Sequence, residues 1–349
     1  MYFSSDNWAG AHPAIAERLH DASTGFAAAY GNSEIDQKVA RRFSEIFERD
    51  VSVFFVGTGT AANSLALASV TKPGGVTFCH NEAHIQTDEC GAPGFFAHGA
   101  RLMPVSGADA KLDGKALEAA IARFPEGGVH FGQAAAVSIT QATEFGTVYS
   151  LDEISAIGEI AKGHALPLHM DGARFANAIA ALGCSPAEMT WKRGVDILSF
   201  GGTKNGCWMA EALVFMNPAQ AAEMPYLRKR SAQLFSKSRF IAAQFDAYLE
   251  NNLWLDLAAH ANRMADGLRA GLKTSNRCRE GWATQGNEVF AVLPKSVMAE
   301  AEAAGAKFYD WPAPADQPDL LADDEILIRL VTSFATAEDE VNRFISLLG

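Results

Sequence analysis

The sequence predicts an α/β protein in which a mostly parallel sheet lies between helices and a smaller α+β domain follows at the C-terminal end. From residue 51 to residue 200, short apolar segments alternate with helical segments, the pattern of right-handed crossover connections. After residue 240 this alternation gives way to a long helical stretch and then to separate strands. The 349 residues also exceed the size at which one hydrophobic core usually stops growing. We therefore expect two domains.

The first strong helix signal covers residues 33–48. Apolar residues recur there on one face at helical spacing: Ile35, Val39, Phe43, Ile46 and Phe47. Ser33, with Asp36 three residues later, resembles a capping box in which the usual Glu is replaced. The segment VSVFFV (51–56) then has the continuous apolar character of a buried strand.

The remaining elements are predicted from the same periodicities. We expect further strands over 75–79, 101–105, 134–142, 166–170 and 195–200, and helices over 61–70, 115–124, 151–162 and 173–182. The polar run 81–94 is too irregular for a core element. Towards the C-terminus we expect helices over 240–272 and 338–348, strands over 288–294, 307–311 and 325–333, and a solvated acidic loop over 312–325.

Composition narrows the class of protein. Hydrophobic residues make up 48% and charged residues 20%, the balance of a folded chain. A net charge of −12 argues against a nucleic-acid partner, which needs a basic face, although a local basic cluster can still bind a small anion. The five cysteines are scattered without CxxC spacing, which argues against zinc and disulfides and for a reducing compartment. With no membrane-spanning stretch and no signal-peptide pattern, we expect a cytoplasmic protein without a membrane partner.

Polar residues follow four of the predicted strands, at the edge where parallel sheets bind ligands. GTGTAAN (57–63) is a glycine turn before a helix, which either holds an anion or is a tight turn without a ligand. HIQTDECG (84–91) places a histidine near two carboxylates, as a general acid/base group, a metal site or a surface loop. The sequence offers no further metal ligands at workable spacing, so we expect no metal.

The other two strand ends carry the strongest signals. In MDGAR an apolar strand runs directly into Asp171 and Arg174, and in SFGGTKNG Lys204 follows a strand among glycines. A lysine in that position is either a solvated side chain or a Schiff-base lysine. A phosphate cradle, an acid and a lysine at three ends of one sheet suit pyridoxal 5′-phosphate as the cofactor.

These motifs resemble those of the low-specificity L-threonine aldolases, which belong to the fold-type I pyridoxal-phosphate enzymes of the β-eliminating lyase/threonine aldolase superfamily. The matching segments occur in the family's order along most of the chain: FSSDN (3–7), GTGTAANSLAL, AHIQTDECGAP, ITQATEFGTVY (139–149), HMDGARF, SFGGTKNG and IRLVTS (328–333). The spacing of 33 positions from Asp171 to Lys204 is the specific part of this pattern. The resemblance implies an aspartate-aminotransferase-like fold with a seven-stranded sheet. It also implies an active-site N-terminal segment (1–20), a large cofactor-binding domain (21–240) and a small domain (241–349).

The resemblance also implies roles for individual residues. Lys204 would carry the cofactor, Asp171 would pair with its ring nitrogen, and Gly59 and Thr60 would bind its phosphate. His84 would lie on the ring and orient the substrate hydroxyl, and Glu89 would share that proton transfer. Arg174, Arg329 and Ser5 would bind the substrate carboxylate. Tyr30 would bind substrate and Lys229 the phosphate, both from a neighbouring subunit, so we expect a homodimer or homotetramer with shared active sites.

Two departures from the family pattern concern specificity. Many relatives have Glu-Asn-Thr-His-Asn where this chain has TQATE (140–144), so a second histidine is absent and Thr143 or Glu144 lies in its neighbourhood. The chain also has Asn32 and Ser33 where the family often has acidic residues.

The resemblance implies reversible cleavage of L-threonine, L-allo-threonine and related L-β-hydroxy-α-amino acids to glycine and an aldehyde. Three alternatives stay open: a β-eliminating or phenylserine-cleaving lyase of the same fold, a less favoured aminotransferase, and a non-catalytic binding protein.

Overall fold

The computed structural model describes residues 1–314 and 317–349. Its strands are β1 (Ser52–Val56), β2 (Gly75–His80), β3 (Arg101–Val105), β4 (Gln133–Thr140), β5 (Leu168–Gly172), β6 (Ile197–Gly201), β7 (Glu211–Phe215), β8 (Arg279–Glu280), β9 (Glu288–Pro294), β10 (Tyr309–Asp310) and β11 (Glu325–Val331). Residues 315 and 316, inside the loop expected over 312–325, lie outside the described residues.

The α-helices alternate with the strands of the first two thirds of the chain and dominate the stretch after them. They are α1 (Pro13–Asp21), α2 (Glu34–Ile46), α3 (Gly59–Val70), α4 (His84–Thr87), α5 (Ala92–Phe96), α6 (Gly114–Ile121), α7 (Leu151–Gly163), α8 (Phe175–Leu182), α9 (Pro186–Met189), α10 (Met224–Arg230), α11 (Arg239–Leu249), α12 (Leu253–Thr274), α13 (Lys295–Ala303) and α14 (Glu338–Leu347).

A seven-stranded sheet forms the centre of the molecule, with strand order β1-β7-β6-β5-β4-β2-β3. Strand β7 is antiparallel to both of its neighbours, and the other four pairs are parallel. A second, smaller sheet is antiparallel throughout, with strand order β10-β11-β9-β8. The predicted fold class, a mostly parallel seven-stranded sheet followed by a smaller α+β part, is confirmed.

Local signals explain where several helices begin. Ser33 accepts a hydrogen bond from the backbone N–H of Asp36, whose carboxylate accepts one from the N–H of Ser33, so the predicted capping box is present at the start of α2. A second capping box, between Ser150 and Glu153, begins α7. Each box satisfies backbone donors that a helix N-terminus leaves without partners.

The structure corrects the sequence-based elements in several places. The run 81–94, expected to be irregular, contains the short helix α4 and the start of α5, and the elements α1, α9, α10, α13 and β8 were not expected. Strand β7 was not expected, because EALVF is short and no helix separates it from β6. The helix expected over 240–272 is two helices, α11 and α12, separated by the turn Glu250–Asn252. In that turn Asn251 and Asn252 have φ angles of 51° and 61°, a left-handed conformation that asparagine tolerates better than most residues.

The hydrophobic core lies on both sides of the large sheet and continues beneath the small one. Aromatic rings from α2, β6, α8, α11 and α12 pack against one another on one side: Phe43, Phe200, Phe175, Phe245 and Trp254. A separate cluster lies between the small sheet and its helices. Among the described residues, we find no helix with the length and apolarity needed to cross a membrane.

Candidate active site

A cavity of about 620 Å³ opens at the carboxyl ends of the central strands, between the large sheet and the small one. Nine of the eleven residues to which the family resemblance assigns a role line it: Ser5, Gly59, Thr60, His84, Glu89, Asp171, Arg174, Lys204 and Arg329. One of these residues belongs to the N-terminal segment and one to β11. The other seven lie at the ends of four strands or in the segments that follow them, so the fold brings together residues far apart in sequence.

Lys204 lies in the single turn Thr203–Asn205 that follows β6. The turn is anchored to the core, because the buried Asn205 side chain donates hydrogen bonds to the Tyr248 hydroxyl at 2.7 Å and to the Trp254 carbonyl at 2.8 Å. The close approach of Gly201 to the Ala173 backbone leaves no room for a Cβ there, which explains the glycine before this turn. Lys204 itself is half-buried and lines the cavity. The scaffold therefore presents its amine on a rigid base.

Asp171, at the end of β5, is buried, and both of its oxygens are held. Oδ1 accepts the backbone N–H of Ala173 at 3.0 Å, and Oδ2 accepts the side-chain amide of Asn63 at 2.7 Å. The same Asn63 nitrogen donates to Glu89 at 2.8 Å, and Glu89 lies 3.0 Å from Nδ1 of His84. A chain of hydrogen bonds therefore links the acid at the end of β5 to the histidine.

Asn63 was missed by sequence reasoning. It lies in α3, the helix that begins at the glycine turn, and is buried in a segment whose other residues are small or apolar. A lone amide in such a segment is the signal that could have identified it, since a buried amide needs partners.

The His84–Glu89 pair retains a proton more readily than isolated side chains would. The hydrogen bond to Glu89 raises the pKa of His84, and burial raises the pKa of Glu89. Nδ1 of His84 is engaged by Glu89, which leaves Nε2 for a ligand in the cavity. The pair is therefore equipped to accept a proton from a ligand and to return it.

Glu144 is a third buried carboxyl in this cavity. Its Oε1 accepts the backbone N–H of His84 at 2.8 Å, and its Oε2 is buried without a hydrogen-bond partner among the described residues. Burial and the nearby Asp171 raise the pKa of Glu144 to about 8. Of the two residues expected where relatives carry a histidine, Glu144 lines the cavity, whereas Thr143 is buried against Thr147.

Replacing Glu144 with Gln should reveal this raised pKa in stability. The unfolded carboxyl loses its proton near 4.5 and the folded one near 8, so the folded state binds more protons between these values. The stability of the unaltered protein must then fall, relative to Glu144→Gln, as pH rises through that window. We expect the melting temperature of the variant minus that of the parent to grow from pH 5 to pH 8 and then to level off. A difference independent of pH would contradict the assignment.

Arg174 follows β5 and is tightly held by two acids that sequence analysis did not identify. Its Nε and Nη2 donate to the two oxygens of Asp6 at 2.8 and 3.2 Å, and its Nη1 lies 3.1 Å from Oε2 of Glu288. Burial alone would raise the pKa of Asp6, but Arg174 and Lys204 more than offset it and lower the pKa. Burial would likewise lower the pKa of Arg174, and Asp6 and Glu288 hold it above its usual range.

Arg329, on β11, faces the same acid. Its Nη1 lies 3.7 Å from Oε1 of Glu288, and its guanidinium carbon lies 4.2 Å from the ring centroid of Trp311. Burial lowers the pKa of Arg329. The two arginines therefore converge on one place in the cavity, and that place also contains a carboxylate that the sequence did not indicate.

The glycine turn at the start of α3 has the features of an anion site. Thr58 caps the helix by accepting the N–H of Ala61 at 3.1 Å. A Cβ added at Gly59 would meet no atom within 4 Å, so the space beside its backbone is open. The first N–H groups of a helix have no partner within it, and the dipole favours a negative charge there.

Two predicted residues lie outside the cavity. Tyr30 and Lys229 are exposed and next to each other, with the Lys229 amine 5.6 Å from the Tyr30 ring centroid.

Glu211 lines the cavity but was not predicted, because its strand β7 was not predicted. Burial raises the pKa of Glu211 to about 7, which hydrogen bonds from Thr203 and the charge of Lys204 only partly offset. The described residues contain no cluster of three or more His, Cys, Asp or Glu side chains arranged to hold a metal.

Comparison with known proteins gives a consistent result. Residues 3–293 match the family described as Beta-eliminating lyase. The chain is 41% identical over 310 residues to a low specificity L-threonine aldolase of Pseudomonas sp. (strain NCIMB 10558), covering 88% of this chain and 89% of that one. A Pseudomonas aeruginosa protein of the same name is also 41% identical, over 309 residues, with the same coverage. The solved structure of Leishmania major threonine aldolase superposes with a TM-score of 0.91 at 30% identity, covering 99% of this chain and 98% of that one.

Proposed function

The chain belongs to the β-eliminating lyase family and, within it, to the low-specificity L-threonine aldolases, and from this premise we propose that it is a pyridoxal-phosphate-dependent aldolase. It cleaves L-threonine, L-allo-threonine and related L-β-hydroxy-α-amino acids reversibly to glycine and an aldehyde. The observation that carries this proposal is the convergence of Lys204, Asp171 and the two arginines in one cavity.

The residues present fit this cofactor. An open cradle lies beside Gly59, an amine is presented at Lys204, and a carboxylate with fixed orientation lies at Asp171. When bound, pyridoxal phosphate supplies an aldehyde for covalent attachment to amines and a ring that withdraws electrons from the bond being cleaved.

Three groups of residues hold the cofactor in this proposal. Lys204 would hold the cofactor through its amine. Asp171 holds a proton on the ring nitrogen, with Asn63 and the Ala173 N–H fixing its orientation. Gly59, Thr60 and the α3 dipole bind the phosphate.

The remaining groups act on the substrate. Arg174, Arg329 and Ser5 bind its carboxylate, for which a guanidinium offers a matching pair of donors. His84 removes the β-hydroxyl proton through Nε2, and Glu89 stabilises the charge that this creates.

A substrate panel tests the proposal against its alternatives. Purified enzyme with added pyridoxal phosphate should develop a visible absorption band that changes when L-threonine is added, whereas a non-catalytic binding protein would show no change. Glycine release should be measured from L-threonine, L-allo-threonine and phenylserine. Glycine from phenylserine alone would favour the phenylserine-type alternative.

Arg329→Ala should raise KM for L-threonine roughly 10- to 150-fold, because a charge-assisted hydrogen bond to the substrate carboxylate is worth about 1.5–3 kcal/mol. The cofactor band should form normally, since Arg329 is assigned to the substrate and not to the cofactor. Arg329→Lys should recover only part of the loss, because lysine keeps the charge but not the planar pair of donors. Kinetics and melting temperature distinguish a substrate-binding role of Arg329 from a purely structural ion pair with Glu288. A lowered melting temperature with unaltered kcat/KM would reject the substrate role.

We also propose at least a homodimer whose subunits share active sites. Exposed Tyr30 and Lys229 support it, since they are adjacent, outside the cavity and free to reach a neighbouring subunit. Light scattering should give a mass at least twice the 37.3 kDa of one chain. A fully active monomer would contradict the proposal.

We further propose a cytoplasmic location, which the scattered cysteines support, and a role in amino acid and glycine metabolism.

A further inference from the structure

The site assigned to the substrate carboxylate already contains two buried carboxylates. Arg174 and Arg329 supply two positive charges, and Asp6 and Glu288 supply two negative ones. The side chains of Asp6 and Glu288 are each only 1% exposed. A substrate carboxylate therefore enters a cluster whose formal charges cancel, and not a pair of free cations.

The two acids are held very differently. Asp6 accepts three hydrogen bonds, two from Arg174 and one from the Asn287 side chain at 3.1 Å. Glu288 lies 3.1 Å from one arginine and 3.7 Å from the other, yet neither of its oxygens has a hydrogen-bond partner of good geometry in the described part of the chain. Asp6 is thus a fixed support of Arg174, whereas Glu288 is attracted to both arginines without being fixed by either.

We propose that Glu288 competes with the substrate carboxylate for Arg174 and Arg329 and so determines which ligands the cavity retains. A carboxylate gains less from two arginines that an internal carboxylate already neutralises. A carboxylic acid without an amine is then held weakly, and only a ligand with a second attachment, such as an amino acid bound through its amine, remains. This inference rests on the proposed function, because it takes the arginines as the site of the substrate carboxylate.

The test compares ligands that carry one or both anchoring groups. The probes are 3-hydroxybutanoate, which is threonine without its amine, and threoninol, which lacks the carboxylate. Dissociation constants are measured by calorimetry on the cofactor-loaded parent, Glu288→Gln and Glu288→Ala, alongside KM for L-threonine. Melting temperatures and the cofactor band establish that each variant is folded. If Glu288→Gln does not fold, Glu288→Ala replaces it in the comparison.

Removing the Glu288 charge should tighten 3-hydroxybutanoate binding on the order of tenfold, the usual effect of one neighbouring charge at a partly buried ionic site. KM for L-threonine should fall in parallel, and threoninol binding should stay within about twofold, since threoninol has no carboxylate for the arginines. Glu325→Gln is the matched control, because it removes a carboxylate from β11, the strand that carries Arg329, at the end of the β9–β11 pair far from Glu288. It should change none of these values.

Two results would overturn the inference. Unchanged or weaker 3-hydroxybutanoate binding in a folded Glu288 variant would mean that Glu288 does not compete, while the arginines could still bind substrate. If the parent and every variant bind 3-hydroxybutanoate only at a site that Arg329→Ala leaves intact, the arginine pair is not the carboxylate site. In that case the proposed substrate site fails as well.

Discussion

Lys204→Ala should lower kcat roughly 10⁴-fold or more, the scale of loss seen when the covalent group of an enzyme is removed. Lys204 lines the cavity on a turn that Asn205 fixes to the core, so the substitution removes the amine and leaves its base in place. The cofactor should still bind non-covalently, through the glycine turn and Asp171.

Borohydride, which fixes the cofactor onto the lysine that holds it, followed by peptide mapping, should label the peptide containing Lys204 in the unaltered protein. Lys162→Ala, on the exposed face of α7, is a suitable control and should keep full activity. A label on a different lysine would show that the assignment is wrong.

Asp171→Asn should fold normally and lower kcat on the order of 10²- to 10⁴-fold, because an amide cannot hold a proton on the cofactor ring. The structure adds a second consequence. The new amide nitrogen meets a donor in either orientation, the Asn63 side chain at the Oδ2 position or the Ala173 N–H at the Oδ1 position, so one of these two hydrogen bonds is lost. Because Asn63 also donates to Glu89, loss of its bond to residue 171 should disturb the His84–Glu89 pair as well.

The control is Asp196→Asn, which removes a carboxylate that accepts the Leu168 N–H at the opposite end of β5. It should lower the melting temperature and leave kcat close to that of the parent. Near-native turnover of Asp171→Asn with cofactor bound would contradict the role given to Asp171.

Much of the large sheet could be predicted, because each parallel strand needs its own crossover helix and so produces a regular alternation in the sequence. Strand β7 was not predicted, because it is antiparallel to β6 and no helix connects the two strands. Glu211, which lies on β7, was therefore not identified either. The division between α11 and α12 escaped because the asparagines at the turn interrupt the helical pattern only briefly.

The candidate site was predicted where a residue follows a strand, since that position alone indicates the ligand-binding edge. Lys204, Asp171 and Arg174 were found in this way, and the structure brings them together. Their partners were not found, because pairing depends on distant segments: Asp6 meets Arg174 across 168 positions and Asn287 across 281. Glu288 begins an apolar strand, and nothing in its neighbours indicates that two arginines lie beside it.

We propose that this cavity cleaves the bond between the α- and β-carbons of a β-hydroxy amino acid. The most direct test is the product balance from L-threonine, with glycine, acetaldehyde, 2-oxobutanoate and ammonia quantified in one reaction of the cofactor-loaded enzyme. We expect equal amounts of glycine and acetaldehyde and no ammonia, with none of these products formed by Lys204→Ala. Ammonia and 2-oxobutanoate in place of glycine would show an eliminating lyase and contradict the claim.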